Sequence, residues 1–541
     1  MGLKCLRNQK PSFYFYFLLI SSMLILTIVS FPQKSRAIPP FAEKYHFACA
    51  VCHTVFPNLN PFGRAFWRNG LRLPNTNGTP ADATEITQGL SLPNPWPVPL
   101  SVATWVQYTH ITNENTIPNI GTLPMVMLMQ NNTDNFSASS MIDSGGSFKL
   151  YNPFFNSISY FVMNNIGSTT GSNVPLTNAQ TWASLNGLGY GFGVPPHLIN
   201  LKMGMPDTAA PYFYRQMPMF IQSYSNMRAQ GLDVGFDAEA GKLINAANPG
   251  IAVYGTPGYN LWYKIVFSND QGSSGTTSNA FEYSYQLKEY LQLKNGGQLE
   301  FGYYGAHISE PVSGSPNWVI QDSGSSTQSS PTTWINPILV NGFDIDYSFP
   351  GYMSEIGITY MHQTDFHPYG NPSLPAQNFC LPSENTSVVN GFPGDNAGGA
   401  CPSGYSSHGS TNSSNGYSAI DIYGMASFMQ NMHEGLMLMA EFSFYRWDNK
   451  KLQEAYNFDY NSKNTTTYLY INNNLMNPQA NIFQDGAYQK TSGGLNSGVG
   501  ETLQLSATYN IAYNSYLYAV YTLAINKPED NVFGTGLAFA F

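Results

Sequence analysis

Phe533-Gly534-Thr535-Gly536-Leu537-Ala538-Phe539-Ala540-Phe541 is the stretch from which the fold is read. Phe533, Thr535, Leu537, Phe539 and Phe541 alternate with Gly534, Gly536, Ala538 and Ala540. A period of two puts the large set on one face of a β-strand and the small set on the other, whereas a helix would scatter both sets around its circumference.

Outward from this stretch the same rhythm recurs back to Leu100. Phe343, Ile345, Tyr347 and Phe349 alternate with Asp344, Asp346 and Ser348, one oily face against one charged face. Leu261, Tyr263, Ile265 and Phe267 alternate with Trp262, Lys264, Val266 and Ser268. Leu436, Leu438, Ala440, Phe442 and Phe444 repeat the pattern, as do Leu100, Val102, Thr104, Val106 and Tyr108. Polar stretches rich in Gly, Ser, Asn and Thr separate these runs, the longest over residues 365–416 and another over 322–333. Short turns on one side and long loops on the other are the habit of outer-membrane barrels. At 9–11 residues per strand, the region predicts a transmembrane antiparallel β-barrel of about 16 strands, enclosing an aqueous lumen unless something plugs it. The aromatic Phe541 on an alternating last strand resembles the assembly signal of such barrels.

Composition agrees. Only 10% of residues are charged, while Tyr (36) and Gly (49) are abundant, and residues 98–541 contain no apolar run long enough for a spanning helix. Lys4, Arg7 and Lys10 precede an apolar run from Phe13 to Phe31, and Ser35-Arg36-Ala37 offers a small-x-small cleavage site. Residues 1–37 therefore read as a secretory signal peptide. Its loss removes five basic residues and takes the formal charge from −9 to −14. That balance argues against nucleic acid as a partner and suits a surface that attracts cations.

Between signal and barrel, residues 38–97 form a small unit that ends in the stiff linker Leu92-Pro93-Asn94-Pro95-Trp96-Pro97. It carries Cys49-Ala50-Val51-Cys52-His53, the C-x-x-C-H signature of haem c attachment. Two thiols one helical turn apart reach the two vinyl groups on one porphyrin edge, and His53 points its imidazole at the iron. Zinc would need a second Cys/His pair at ligand spacing, which the sequence downstream does not supply. One haem c per chain is the expected cofactor, bound by Cys49 and Cys52 with His53 as axial ligand. The distal ligand is open between His46, a side chain of the barrel wall (His110, Met125, Met127 and Met129 being nearest in sequence) and a vacant position. Phe62, Phe66 and Trp67 at helical spacing, with Gly70 as a C-cap, suit a wall for the porphyrin or a small core.

Pro40-Phe41-Ala42, Cys49-x-x-Cys52-His53, Pro57-x-Leu59-Asn60, Phe62-Gly63, Phe66 and Asn69-Gly70 together resemble the fused monohaem cytochrome–porins, the outer-membrane iron oxidases of iron-oxidising bacteria, and among them the cytochrome 572 kind of acidophiles. The likeness spans the cytochrome unit and departs from the pattern at Glu43 and His46; residues 98–541 match by architecture and length. It implies an oxidoreductase in the bacterial outer membrane that oxidises extracellular Fe(II). Single electrons would pass through haem c to a periplasmic carrier, a c-type cytochrome or copper protein. The haem unit is then expected in the barrel or at its periplasmic side, plugging the lumen. A cytochrome–barrel with another extracellular donor or acceptor, and a transport porin with a structural haem, stay open as alternatives.

Three further groups of residues are candidates. Asp344 and Asp346, on the polar face of an oily strand, are possible lumen contacts for Fe(II). His362, Asp365 and His367 lie close together at the start of the longest polar stretch, which reads as a loop, and are either solvated loop residues or a surface iron site. Cys380 and Cys401, in an exported chain, are expected to form a disulfide that fastens this loop, worth about 3 kcal/mol for a loop of about 20 residues.

Overall fold

The computed structural model describes residues 49–55, 58–72, 100–111, 114–115, 129–130, 133–149, 153–168, 177–205, 249–258, 260–270, 280–314, 332–351, 354–367, 378–382, 405–410, 412–429, 435–449, 499–512, 515–524 and 532–540. The signal peptide, His46, the 92–97 linker, Met125, Met127 and Cys401 lie outside these residues.

The described residues begin with a one-turn helix α1 (Cys49–Cys52), strands β1 (His53–Val55) and β2 (Asn58–Leu59), and helix α2 (Pro61–Arg68). Then come β3 (Leu100–Ile111), a small pair β4 (Glu114–Asn115) and β5 (Met129–Gln130), β6 (Thr133–Lys149), β7 (Ser157–Ser168), β8 (Thr177–Asn186) and β9 (Asn200–Gly204). They are followed by β10 (Gly250–Gly255), β11 (Leu261–Asp270), β12 (Ala280–Gln292), β13 (Gln298–Gly314), β14 (Thr332–Ser348) and β15 (Glu355–Asp365). After a second small pair, β16 (Asn378–Pro382) and β17 (Tyr405–Ser410), come β18 (Asn415–Met429), β19 (Gly435–Trp447), β20 (Val499–Ala512), β21 (Ser515–Ala524) and β22 (Val532–Ala540).

Apart from the three small pairs, the strands described, 16 in number, close into one barrel in chain order, every neighbour antiparallel. The terminal stretch that set the expectation makes the closure. β22 lies beside β3 with Val532 opposite Ile111 and Ala540 opposite Ala103. Closure pairs the edge strands with each other and removes the exposed backbone groups that an open sheet would leave.

Alternation sets the two faces. On β11, Phe267 is 57% exposed and its neighbour Val266 only 2%. On β14, Phe343 is 44% exposed and Asp344 fully buried. Apolar side chains thus girdle the outside, among them Ile251, Leu287, Tyr303, Leu438, Leu517 and Phe533. No described helix is long and apolar enough to cross a membrane, and the outward band is carried by strands instead.

Connections differ at the two ends. β12 joins β13 through residues 293–297 and β20 joins β21 through 513–514, while 205–249, 366–414 and 448–498 link strands at the other end. β3 begins and β22 finishes at the short-turn end, so the N-terminal unit enters the barrel there.

Candidate functional site

The C-x-x-C-H segment is tied to the helix that follows it. Asn60 is extended (φ −71°, ψ 174°) and caps α2, its Oδ1 accepting from the Gly63 N–H at 2.9 Å, with Pro61 opening the first turn. The same residue reaches back: its backbone N–H donates to the Cys52 carbonyl and its Nδ2 to the Val51 carbonyl, both at 2.9 Å. Gly63 lets α2 press on the end of α1, because a Cβ there would collide with the Cys52 carbonyl oxygen. His53 pairs with Leu59 across β1 and β2. Cys49 and Cys52 occupy one helical turn with His53 directly after it.

Helix α2 lies in the lumen, since the groups it touches are inward-facing residues of strands from β7 round to β15. Arg64 donates through Nε to Glu300 on β13 (3.0 Å), through Nη1 to Glu355 on β15 (2.9 Å) and to the Leu59 carbonyl (3.0 Å), and through Nη2 to Ser348 on β14 (3.1 Å). Arg68 pairs with the other Glu300 oxygen at 3.0 Å, and its guanidinium lies 4.5 Å from the Tyr290 ring. Lys288 on β12 completes the group, 2.7 Å from Asp344 and 3.8 Å from Asp346. All these charges are buried. The wall by itself sets one cation against four carboxylates, and the helix adds the two arginines that bring the group near balance. Burial works against the charge on Arg64, but Glu300, Glu355 and Asp346 outweigh it and hold the guanidinium charged well beyond its ordinary range.

On its other side α2 packs aromatically. Trp67 meets Phe161 of β7 and Trp182 of β8 edge-on at 5.4 and 5.9 Å, and Phe66 and Leu71 bury against Trp182. The Lys202 ammonium of β9 sits 3.9 Å from the Trp182 ring. Gly70 ends the helix at φ +68°, where a Cβ would meet the Asn186 Oδ1 at 2.8 Å and the Tyr254 hydroxyl closer still. Its carbonyl accepts from Ser159. Arg72 donates to the Asn69 and Pro196 carbonyls and to Asn200 Oδ1 and meets no carboxylate among the described residues, and burial lowers its guanidinium to about 10.

A different lining stands beside the charged group. Met425 on β18 and Met437 and Met439 on β19 face inward and form a buried cluster with Tyr423. Met425 is the ladder partner of both Glu355 and Met439. Tyr423 belongs to both linings: its ring lies in the methionine cluster, while its hydroxyl donates to Asp346 at 2.9 Å and also bonds Glu355.

The sequence candidates fall as follows. Asp344 and Asp346 face inward as the alternation predicts, and the structure engages them with Lys288 and Tyr423 at the short-turn end. The His362–Asp365–His367 reading is corrected. Strand β15 runs through Asp365, so period two sends Asp365 inward, while His362 lies on the outer face against Ser418. No group of three or more His, Cys, Asp or Glu able to hold a metal occurs among the described residues. Of the barrel-wall ligands nearest in sequence, His110 and Met129 are described. His110 is on the outward face of β3 opposite Phe533, and Met129 is in the β4–β5 pair at the long-connection end. Cys380 lies in β16 opposite Ser407, whereas Cys401, like His46, is outside the described residues.

Sequence reasoning did not single out Arg64, Arg68, Lys288, Glu300, Glu355 or the three methionines. Two signals were present. Arg64 and Arg68, four apart, make one basic stripe on a helix read as a porphyrin wall or a small core, and Met437 and Met439 alternate with Leu436 and Leu438, making a strand apolar on both faces.

No family model matches the chain, and no curated protein matches it. Solved outer-membrane barrels are similar in outline. OprB of Pseudomonas putida has a TM-score of 0.45 at 8% identity, covering 82% of this chain and 94% of its own. OmpF of Salmonella typhi in complex with daunomycin has a TM-score of 0.41 at 10% identity, covering 82% and 97%. The outer-membrane channel DcaP of Acinetobacter baumannii has a TM-score of 0.39 at 11% identity, covering 82% and 96%.

Proposed function

We propose that this chain is an outer-membrane cytochrome that oxidises extracellular Fe(II) and delivers single electrons to a periplasmic carrier, in the manner of the fused cytochrome–porins. The observation that carries the reading is the C-x-x-C-H turn pinned to a helix inside a closed, oily-walled barrel, at the short-turn end. The outward apolar band supports the outer membrane as its location. By the same habit the short-turn end is periplasmic.

The donor set fits haem c. α1 carries Cys49 and Cys52 three positions apart on one turn, the spacing at which two thioether bonds to one porphyrin edge would form, and His53, directly after it, would hold the iron. Haem c, when bound there, supplies a one-electron redox centre. Each Fe(II) outside loses one electron and becomes Fe(III), and one oxidised carrier, a c-type cytochrome or copper protein, gains it. The protein's own residues determine where this happens. Arg64 and Arg68 fix α2 to β13 and β15 inside the lumen, and Asn60 and Gly63 fix the cysteine turn to α2, so the plug would stand between iron outside and the periplasm. Oxidised iron, poorly soluble near neutral pH, is thereby left outside.

The test uses the full chain purified from outer membrane in detergent. One haem c per chain is expected by haemochrome assay. Mixing the oxidised protein anaerobically with Fe(II) at acid pH should reduce it rapidly and stoichiometrically. Reduction by dithionite but not by Fe(II) would remove iron as donor and leave a cytochrome–barrel with another donor or acceptor. Free flux of small solutes through liposomes would turn the reading to a transport porin with a structural haem.

A further inference from the structure

We propose that the distal ligand of the haem iron is a methionine thioether of the β18–β19 hairpin, Met425 first among Met425, Met437 and Met439. The proposal rests on the haem c reading of Cys49, Cys52 and His53. A short chain of contacts links His53 to this cluster. His53 is the ladder partner of Leu59, and the Leu59 carbonyl accepts from Arg64 at 3.0 Å. Arg64 reaches Glu355 at 2.9 Å from the same nitrogen, and Glu355 stands opposite Met425 in the β15–β18 ladder. Tyr423 spans the junction, its hydroxyl on Glu355 and its ring among the methionines.

Placement around the lumen points the same way. Helix α2 engages inward groups from β7 to β15, and the methionines come next along the wall, on the side to which His53 is tied. They are at the right depth as well. Residues 430–434 are a short connection, so Met425 and Met437 lie near the end where the N-terminal unit enters.

Chemistry supplies the last support. Barrel lumens are lined by polar side chains, so three buried thioethers on one inward patch call for an apolar or sulfur-seeking occupant. Thioether sulfur is a soft ligand that haem iron accepts opposite histidine, raising the potential. Residues 38–97 contain no methionine. A ligand from the wall would also make iron ligation depend on correct seating of the plug.

The experiment compares the haem-loaded chain with Met425→Leu, Met437→Leu and Met439→Leu, swaps that conserve volume. Met361→Leu, inward on β15 but farther from the short-turn end, is the control. The parent should show the near-infrared sulfur-to-iron charge-transfer band when ferric, an upfield-shifted methionine methyl resonance when ferrous, and slow binding of carbon monoxide. Met425→Leu is expected to lose both signals, bind carbon monoxide at once and fall in midpoint potential, with Met361→Leu unchanged. Loss confined to Met437→Leu or Met439→Leu also supports the cluster and assigns the ligand to that sulfur. A parent without the sulfur signals, or three variants that all keep them, overturns the proposal while reduction by Fe(II) still stands. A chain that carries no haem c overturns both readings.

Discussion

Two arcs of the same wall, near the short-turn end, are lined differently. From β12 to β15 the buried inward side chains include Lys288, Glu300, Asp344, Asp346 and Glu355; from β18 to β22 they include Met425, Met437, Met439, Tyr516 and Tyr518 beside the neutral Gln504, Ser506 and Thr508, with the carboxylates Asp421 and Glu441 farther from that end. Their outward faces are alike, with Phe301 and Phe343 on one arc and Leu438 and Leu517 on the other. The membrane side demands only oil, so it does not tell the arcs apart. The lumen side does. Buried carboxylates are tolerable only beside cations, and the cations come largely from a helix remote in sequence. Buried thioethers need no partner, so that arc is left to a neutral or coordinating one.

This contrast is tested first where the effect should be largest. Glu300→Ala removes the carboxylate shared by Arg64 and Arg68, so both buried guanidiniums lose their ion pair with β13, a loss of about 3–5 kcal/mol. Denaturant unfolding in detergent would measure it, with protease cleavage within 49–72 reporting release of the helix. An unchanged profile would mean that the charged arc does not hold α2. Gly63→Ala probes the joint between α1 and α2, because its Cβ forces α2 away from the Cys52 carbonyl. Overpacking of this kind costs about 1–3 kcal/mol, and haem occupancy should fall with it. Asn60→Ala removes the cap and the bond to Val51, for about 1 kcal/mol by the same unfolding assay. Smallest of all, Met437→Leu on the soft arc should cost under about 1.5 kcal/mol. A loss there equal to that of Glu300→Ala would erase the distinction between the arcs.

Salt sharpens the same contrast. The charged arc is buried, so screening reaches it poorly, and protection of residues 49–72 from protease should hold as ionic strength rises. Surface pairing would weaken under the same conditions.

Legibility in the sequence followed the range of the interaction. The alternation of Phe343 with Asp344 and of Ile265 with Lys264 is readable because a strand carries its own two faces. The closing strand β22 was readable in the same way. The misread segment, His362 to His367, has a polar composition, but its ladder with β14 keeps it in a strand through Asp365. What Asp344 faces was hidden. Its neighbour Glu300 binds arginines more than 230 positions away, and Arg64 reaches Glu355 across 291. Such pairs leave no periodic trace, since closing a barrel sets them and no local run does.

By itself the sequence determined an alternating barrel of about 16 strands and a C-x-x-C-H turn ahead of it, because strand periodicity and attachment spacing are local properties. Only the tertiary structure decided which strands α2 meets in the lumen, that its arginines offset the carboxylates of one arc, and that methionines stand on the next. Those depend on which inward faces closure brings to one depth, and buried charge makes that choice costly to change.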